Sequence, residues 1–221
     1  MSLIVRLGIV AHTARSEAAH ELMEQVGAAF MAVDDGSRGA TGNHRHVWHQ
    51  LLKRHPDTDW LVVLEDDALP VPGFTEQLKQ ALQHAPSDIV SLYLGHPEWL
   101  HWWPTLQRDI TAAGEQADRS NASWILTNHT MHGVATAIRT NQVQNMLNHT
   151  LDSLKPFDYA VRQWARDTGR YIAFSLPSLV QHADLEPVIK PCDRTDRRPR
   201  TTPRRAWRTG TNTWTSKAVT L

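Results

Sequence analysis

Apolar residues fall along this chain in two alternating rhythms. Leu3 to Val10 is a short β-branched apolar run, which predicts a buried strand. From Ala14 to Val26 the residues Ala18, Ala19, Leu22, Met23 and Val26 recur at helical spacing, with Thr13 or Ser16 to cap the start and Gly27 to stop it. "AAFMAV" predicts a second strand ending at Asp34, Asp35 and Gly36. Such a unit implies a right-handed crossover and a parallel pair. Asn43 to His55 predicts a helix with Val47, Trp48, Leu51 and Leu52 inward, and Leu61 to Leu64 a third strand. Pro70, Pro72 and Gly73 form a rigid turn feeding a helix from about Thr75 to Gln83, before a fourth strand from Asp88 to Gly95. Between Pro97 and Asn128 the pattern dissolves, which reads as a long irregular insertion holding Trp99, Trp102 and Trp103. "HGVATAI" then predicts a strand, and "TNQVQNMLNHTL" and "PFDYAVRQWARDTG" two helices, the latter anchored by Tyr159, Val161 and Trp164. "YIAFSLPSLVQH" is a final strand that breaks at Pro177.

Strands alternating with helices predict a single α/β domain with a mostly parallel sheet flanked by helices, and ligands collect outside the carboxyl ends of such strands. Composition agrees, since 221 residues with 41% hydrophobic and 21% charged side chains can bury one substantial core. A mean hydropathy of −0.44 argues against a membrane protein, and no apolar run approaches the roughly 18 residues that span a bilayer. "MSLIVRLGIVAHTAR" reads as a first strand and not as a signal peptide, and the single Cys192 excludes an internal disulfide. A cytoplasmic location is expected, the host's if the gene is viral. The N-x-S/T triplets at Asn121, Asn128 and Asn148 are then chance matches.

Charge changes the picture at one end only. The formal net charge is zero, yet residues 187–221 hold nine Lys and Arg against Asp193 and Asp196, leaving residues 1–186 acidic. The expected organisation is a domain over 1–186 and a basic extension over 187–221. Such an extension either meets a polyanion or packs on its own acidic domain.

Candidate chemistry concentrates in "DWLVVLEDDALPVPGF", where Glu65, Asp66 and Asp67 follow an apolar strand. Along an extended chain Glu65 and Asp67 converge on one side while Asp66 faces the other. Hard cations such as Mg²⁺ or Mn²⁺ take oxygen ligands and keep places for water and phosphate, so a strand-end carboxylate pair suits a metal bound to a diphosphate. A solvated acidic turn is the plainer alternative. His44, His46 and His49 in "GNHRHVWH" lack the spacing of a zinc pair and read as surface or phosphate-facing residues.

"VVLEDDALPVPGF" resembles the metal-binding signature of GT-A glycosyltransferases, in particular the family typified by lipopolysaccharide β-galactosyltransferases. "HGVATAIRTNQVQNML", "PFDYAV" and "LPSLVQHADLEPVI" follow in that family's order, so the resemblance covers roughly residues 3 to 190. It implies a Rossmann-like GT-A fold and a metal-dependent transfer of sugar from a nucleotide-sugar donor, a UDP-sugar first, to an acceptor hydroxyl. By this resemblance Asp67 is the direct metal ligand, Glu65 and Asp66 share the metal's water shell and the donor ribose, and His182 adds a ligand. Asp34 and Asp35 resemble the acids that hold the base or ribose. His12 and Arg15 sit at the first strand's mouth, where Arg15 pairs with the diphosphate or caps the surface. Asp158 is the leading general base, or else an acid favouring a helix dipole. Trp99, Trp102 and Trp103 either stack on the acceptor or anchor their loop.

The basic extension makes a hydroxymethylated pyrimidine in viral DNA the favoured acceptor, a saccharide or a protein being the alternatives. A metal-dependent phosphodiesterase is a rival, but it needs a second ligand cluster. A non-catalytic nucleic-acid or carbohydrate-binding protein is another and would not need the acidic triplet.

Overall fold

A computed structural model of the chain describes residues 3–101, 103–129, 132–186, 188 and 203–221. Its first strand, β1 (Val5–His12), leads through a short 3-10 turn into α1 (Ser16–Val26), which Gly27 stops in the left-handed conformation at φ 64°. β2 (Phe30–Asp34), α2 (Gly39–Arg54), β3 (Trp60–Glu65), β4 (Ala68–Pro70) and α3 (Phe74–Gln83) follow. Next come β5 (Ile89–Ser91), α4 (Pro104–Ser120), β6 (Trp124–Thr127), β7 (Ala135–Arg139), α5 (Thr140–Thr150) and α6 (Phe157–Asp167). β8 (Ile172–Ser175), β9 (Val180–His182) and β10 (Ala218–Thr220) complete the order.

Eight strands form one sheet in the order β10-β6-β8-β5-β7-β3-β1-β2, and β4 pairs with β9 beside it. β2, β1 and β3 are parallel, as the strand, helix, strand pattern requires. The sheet as a whole is mixed, with four of its seven pairings parallel: β10 also runs with β6 and β5 with β8, while β7 runs against both β3 and β5, and β6 runs against β8. Trp60, Val62 and Leu64 enter one apolar cluster with α1 and α3, while Leu61 and Val63 enter a second with α2, α4, α5 and α6. Alternation along β3 therefore puts a core on each face, and β3 is buried on both sides.

The region between Pro97 and Asn128 is a correction. It holds the 17-residue helix α4, and strand β6, where an irregular insertion was expected. The residues after 202, expected as part of a basic extension, fold back onto the domain. β10 lies parallel to β6, Ala206 bridges to Gly95, and Trp214 packs 5.3 Å from Trp124. Tyr159 was expected as an inward anchor of α6 beside Val161 and Trp164. Those two are fully buried, whereas Tyr159 is 49% exposed.

One close approach positions the site. A Cβ on Gly8 would come within 2.8 Å of Leu51 Cδ1, so the glycine lets α2 lie tight against β1. That brings Asn43 over the strand ends, where its amide nitrogen donates to Ala11 O at 3.1 Å and Ala32 O at 3.0 Å.

Candidate active site

β1, β2 and β3 end side by side, with His12 level with Asp34 and Val10 level with Glu65. A cleft of about 280 Å³ opens there, and its walls include His12, Arg15, Asp34, Asn43, His44, Glu65, Asp66, Asp67 and Arg204. This is the position at which parallel α/β sheets bind ligands. A larger, more open depression of about 610 Å³ between α3 and residues 211–214 contains amides and hydroxyls but no carboxylate or guanidinium. The ionised groups lie at the strand ends, so the smaller cleft is the candidate active site.

The acidic triplet divides differently from its expected alternation, because β3 stops at Glu65 and residues 66 and 67 form a turn. Asp66 and Asp67 both face Arg15, whose Nη1 donates to Asp66 Oδ1 and Asp67 Oδ2 at 2.9 Å each. The other Asp66 oxygen accepts the His12 backbone N–H at 2.9 Å. Glu65 turns away to His44, with Nε2 3.1 Å from Oε1. His44 is buried and stacked on Phe157 at 4.8 Å, which corrects its reading as a surface residue, and it lines the cleft.

These partners split the carboxylates electrostatically. Burial pushes Glu65 up, but the His44 hydrogen bond and the charges of His44, His182 and Arg204 carry it below the ordinary glutamate value. Burial and then the Glu65 charge push Asp67 above the ordinary aspartate value. A buried carboxylate held in that state gains from a cation beside it.

Asp67 Oδ1 is buried and has no hydrogen-bond partner. An unpaired hard oxygen fits Mg²⁺ or Mn²⁺ bound through one carboxylate, water and substrate phosphate. The rest of the expected ligand set is not assembled around it. Among the described residues no group of three His, Cys, Asp or Glu side chains is arranged to hold a metal ion. His182 Nε2 lies 3.7 Å from Asp67 Oδ2, while its Nδ1 accepts the Asp184 backbone N–H at 2.7 Å. In a neutral ring the proton therefore sits on Nε2, which points a donor at Asp67 instead of a lone pair at a metal.

Asp34 is buried and spent on its own loop. It accepts backbone N–H bonds from Gly36, Arg38 and Gly39 at 3.1 Å each, thereby fixing the start of α2. Asp35 is exposed and accepts from Ser37 N at 3.0 Å. His12 Nδ1 accepts from Ala14 N at 3.1 Å and caps the 3-10 turn. Asp158, in the first turn of α6, lies across Gly133 from Glu65: a Cβ on Gly133 would sit 2.9 Å from Glu65 Oε1 and 3.6 Å from Asp158 Cβ. Burial and then the Glu65 charge raise Asp158 to about 6.

Trp99 is half-buried against the core, with the Arg204 guanidinium 4.9 Å over its ring, and Trp103 is 43% exposed. Neither lines the cleft, and Trp102 lies outside the described residues. Sequence reasoning missed Asn43 and Arg204 as cleft residues. Asn43 stood within the histidine-rich segment considered only for zinc, and Arg204 within a segment read only as a bulk of charge.

Comparison with known proteins gives the chemistry a family. The family model described as "Glycosyltransferase like family 2" matches residues 5–201. The chain belongs to this family. Its members generally use nucleotide-sugar donors with a divalent metal. No curated protein sequence matches the glycosyltransferase-like chain. Solved structures similar to it include a glycosyltransferase involved in the glycosylation of the major capsid of PBCV-1, at 10% identity over 76% of this chain and 80% of that one, with a TM-score of 0.43. A protein from STIV is 12% identical over 80% of this chain and 85% of that one, with a TM-score of 0.45. The inositol-1-phosphate CTP transferase of T. maritima is 12% identical over 77% of this chain and 65% of that one, with a TM-score of 0.37. By its family and its own topology the fold is a mixed α/β single domain of the GT-A type, with helices on both faces of its sheet. Among the described residues no helix is long and apolar enough to cross a membrane.

Proposed function

We propose that the chain transfers a hexosyl group from a nucleotide-sugar, a UDP-sugar first, to an acceptor hydroxyl, with Mn²⁺ or Mg²⁺ held at Asp67. The observation that carries this reading is the unpartnered, buried Asp67 Oδ1 at the mouth of three parallel strands. Asp67 would hold the cation, which when bound would supply neutralisation of the charge on the leaving diphosphate. Arg15 holds Asp66 and Asp67 in place and adds positive charge beside the diphosphate. Asn43 and His44 form the wall beneath the donor. Asp158 takes the proton of the acceptor hydroxyl as its oxygen bonds to the anomeric carbon, and the bond from that carbon to the diphosphate breaks with its electron pair on the leaving group. A carboxyl near 6 is ionised at neutral pH yet basic enough to accept a proton.

The sequence argument for a DNA acceptor rested on surplus basic charge. Where that segment is described, three of its four cations serve the domain itself: Arg208 pairs with Asp118, Lys217 donates to Ser120 O, and Arg204 packs over Trp99. Arg205 is exposed, and the other five basic residues, Lys190, Arg194, Arg197, Arg198 and Arg200, lie outside the described residues. A saccharide acceptor is therefore the better reading of the two.

Thermal shift with UDP-sugars and Mn²⁺ tests the donor assignment, because ligand binding to the native state raises apparent stability. Wild type is expected to gain a metal-dependent shift that Asp67→Asn loses. An equal shift in the variant sinks the assignment of Asp67.

A further inference from the structure

We propose that Tyr159 is the platform on which the acceptor sugar stacks, so that the acceptor is a saccharide presenting the apolar C–H face of a pyranose ring. The inference rests on the reading of Asp158 as the proton acceptor. Tyr159 follows Asp158 directly in the first turn of α6, and its backbone N–H donates to Asp158 Oδ1 at 2.8 Å. Their Cα atoms are about 3.8 Å apart, so a pyranose whose hydroxyl reaches Asp158 lies next to the residue that carries the Tyr159 ring.

The tyrosine is built as a surface and not as an anchor. Its side chain is 49% exposed, whereas Phe157, Val161 and Trp164 on the same helix are buried. The Arg162 guanidinium lies 4.6 Å from the ring centroid and stiffens one face by a cation–π contact. Arg162 in turn donates from Nη1 to His129 O at 3.1 Å, which ties it to the stretch that continues toward Gly133, between Glu65 and Asp158. The ring thus stands beside the acid with one face backed and ordering entropy already spent, the arrangement that makes an aromatic an effective stacking partner.

A nucleobase could use the same ring face, but the carboxylates nearby favour a polyol. Four carboxylates, Asp34, Glu65, Asp66 and Asp67, line the cleft against two guanidiniums, Arg15 and Arg204. Carboxylates accept hydrogen bonds from sugar hydroxyls, so those that the donor and its cation leave unused, with Asp158, suit a neutral polyol.

The test compares wild type, Tyr159→Ala and Tyr159→Trp, each with UDP and Mn²⁺, on an array of saccharides that also carries an oligonucleotide containing 5-hydroxymethylcytosine. Wild type is expected to bind at least one saccharide, Tyr159→Ala to bind it about tenfold more weakly, and Tyr159→Trp to retain binding. Absence of saccharide binding by wild type, equal binding by Tyr159→Ala, or preference for the oligonucleotide overturns the proposal. Failure of wild type to bind any UDP-sugar overturns the donor reading and the platform with it, an outcome distinct from an intact donor site with an indifferent Tyr159.

Discussion

Asp158 sits where the ordinary behaviour of an aspartate is reversed by burial and by Glu65 across Gly133. A raised carboxyl favours its neutral form in the folded chain. Its stabilising contribution is complete below the usual value of 3.8 and is lost as pH rises through about 6. The base, however, works only when ionised. Transfer is therefore expected to fall as pH drops through about 6, in a profile of rate against pH. Asp158→Asn should lower kcat by about 10²- to 10⁴-fold, while melting no lower than wild type at pH 8 because the buried charge is gone. A variant that keeps its turnover removes Asp158 from the chemistry. The strand-end acids were legible because charge after an apolar run is a local signal. The partner that sets Glu65, His44, was not, since the contact joins two elements whose meeting depends on Gly8 and the packing of α2.

At the level of elements, strongly periodic helices were readable and α4 was not. Its buried face is Leu106, Ile110, Ala113, Gly114 and Ala117, of which three are small and carry little hydrophobic signal. Those small residues make room for a neighbour: a Cβ on Gly114 would lie 1.9 Å from the Trp207 indole. Alanine is the better helix former by about 1 kcal/mol, so Gly114→Ala would stabilise a bare helix. Here overpacking against a rigid ring costs about 1–3 kcal/mol, and the variant is expected to melt below wild type. Thermal denaturation decides the sign, and a rise in melting temperature would show that Trp207 yields freely. Strand direction was equally hidden. "HGVATAI" has the same apolar pattern whether β7 runs with or against β3, and only the chain's route between β6 and α5 settles it.

Across the whole molecule, the segment after 202 was legible as charge but not as structure. Its apolar residues Ala206, Trp214 and Val219 are buried, yet they are spaced too irregularly to announce an element. Removing residues 203–221 is expected to strip β6 of its parallel partner, uncover Trp124 and leave a sheet edge open to other copies. Size-exclusion chromatography should show such a chain shifting from monomer-sized species to aggregate, and an unchanged elution profile would assign β10 a dispensable role.

β10 is also the last of the described elements to leave a ribosome. During translation, at about 5–20 residues per second, β6 emerges nearly a hundred residues before the strand that covers it, as the positions of Trp124 and Ala218 dictate. The nascent chain thus spends seconds with a hydrophobic strand edge uncovered. Its yield in a cell should depend on whatever chaperone occupies that edge in the interval, and slowing synthesis over the basic segment would lengthen the exposure.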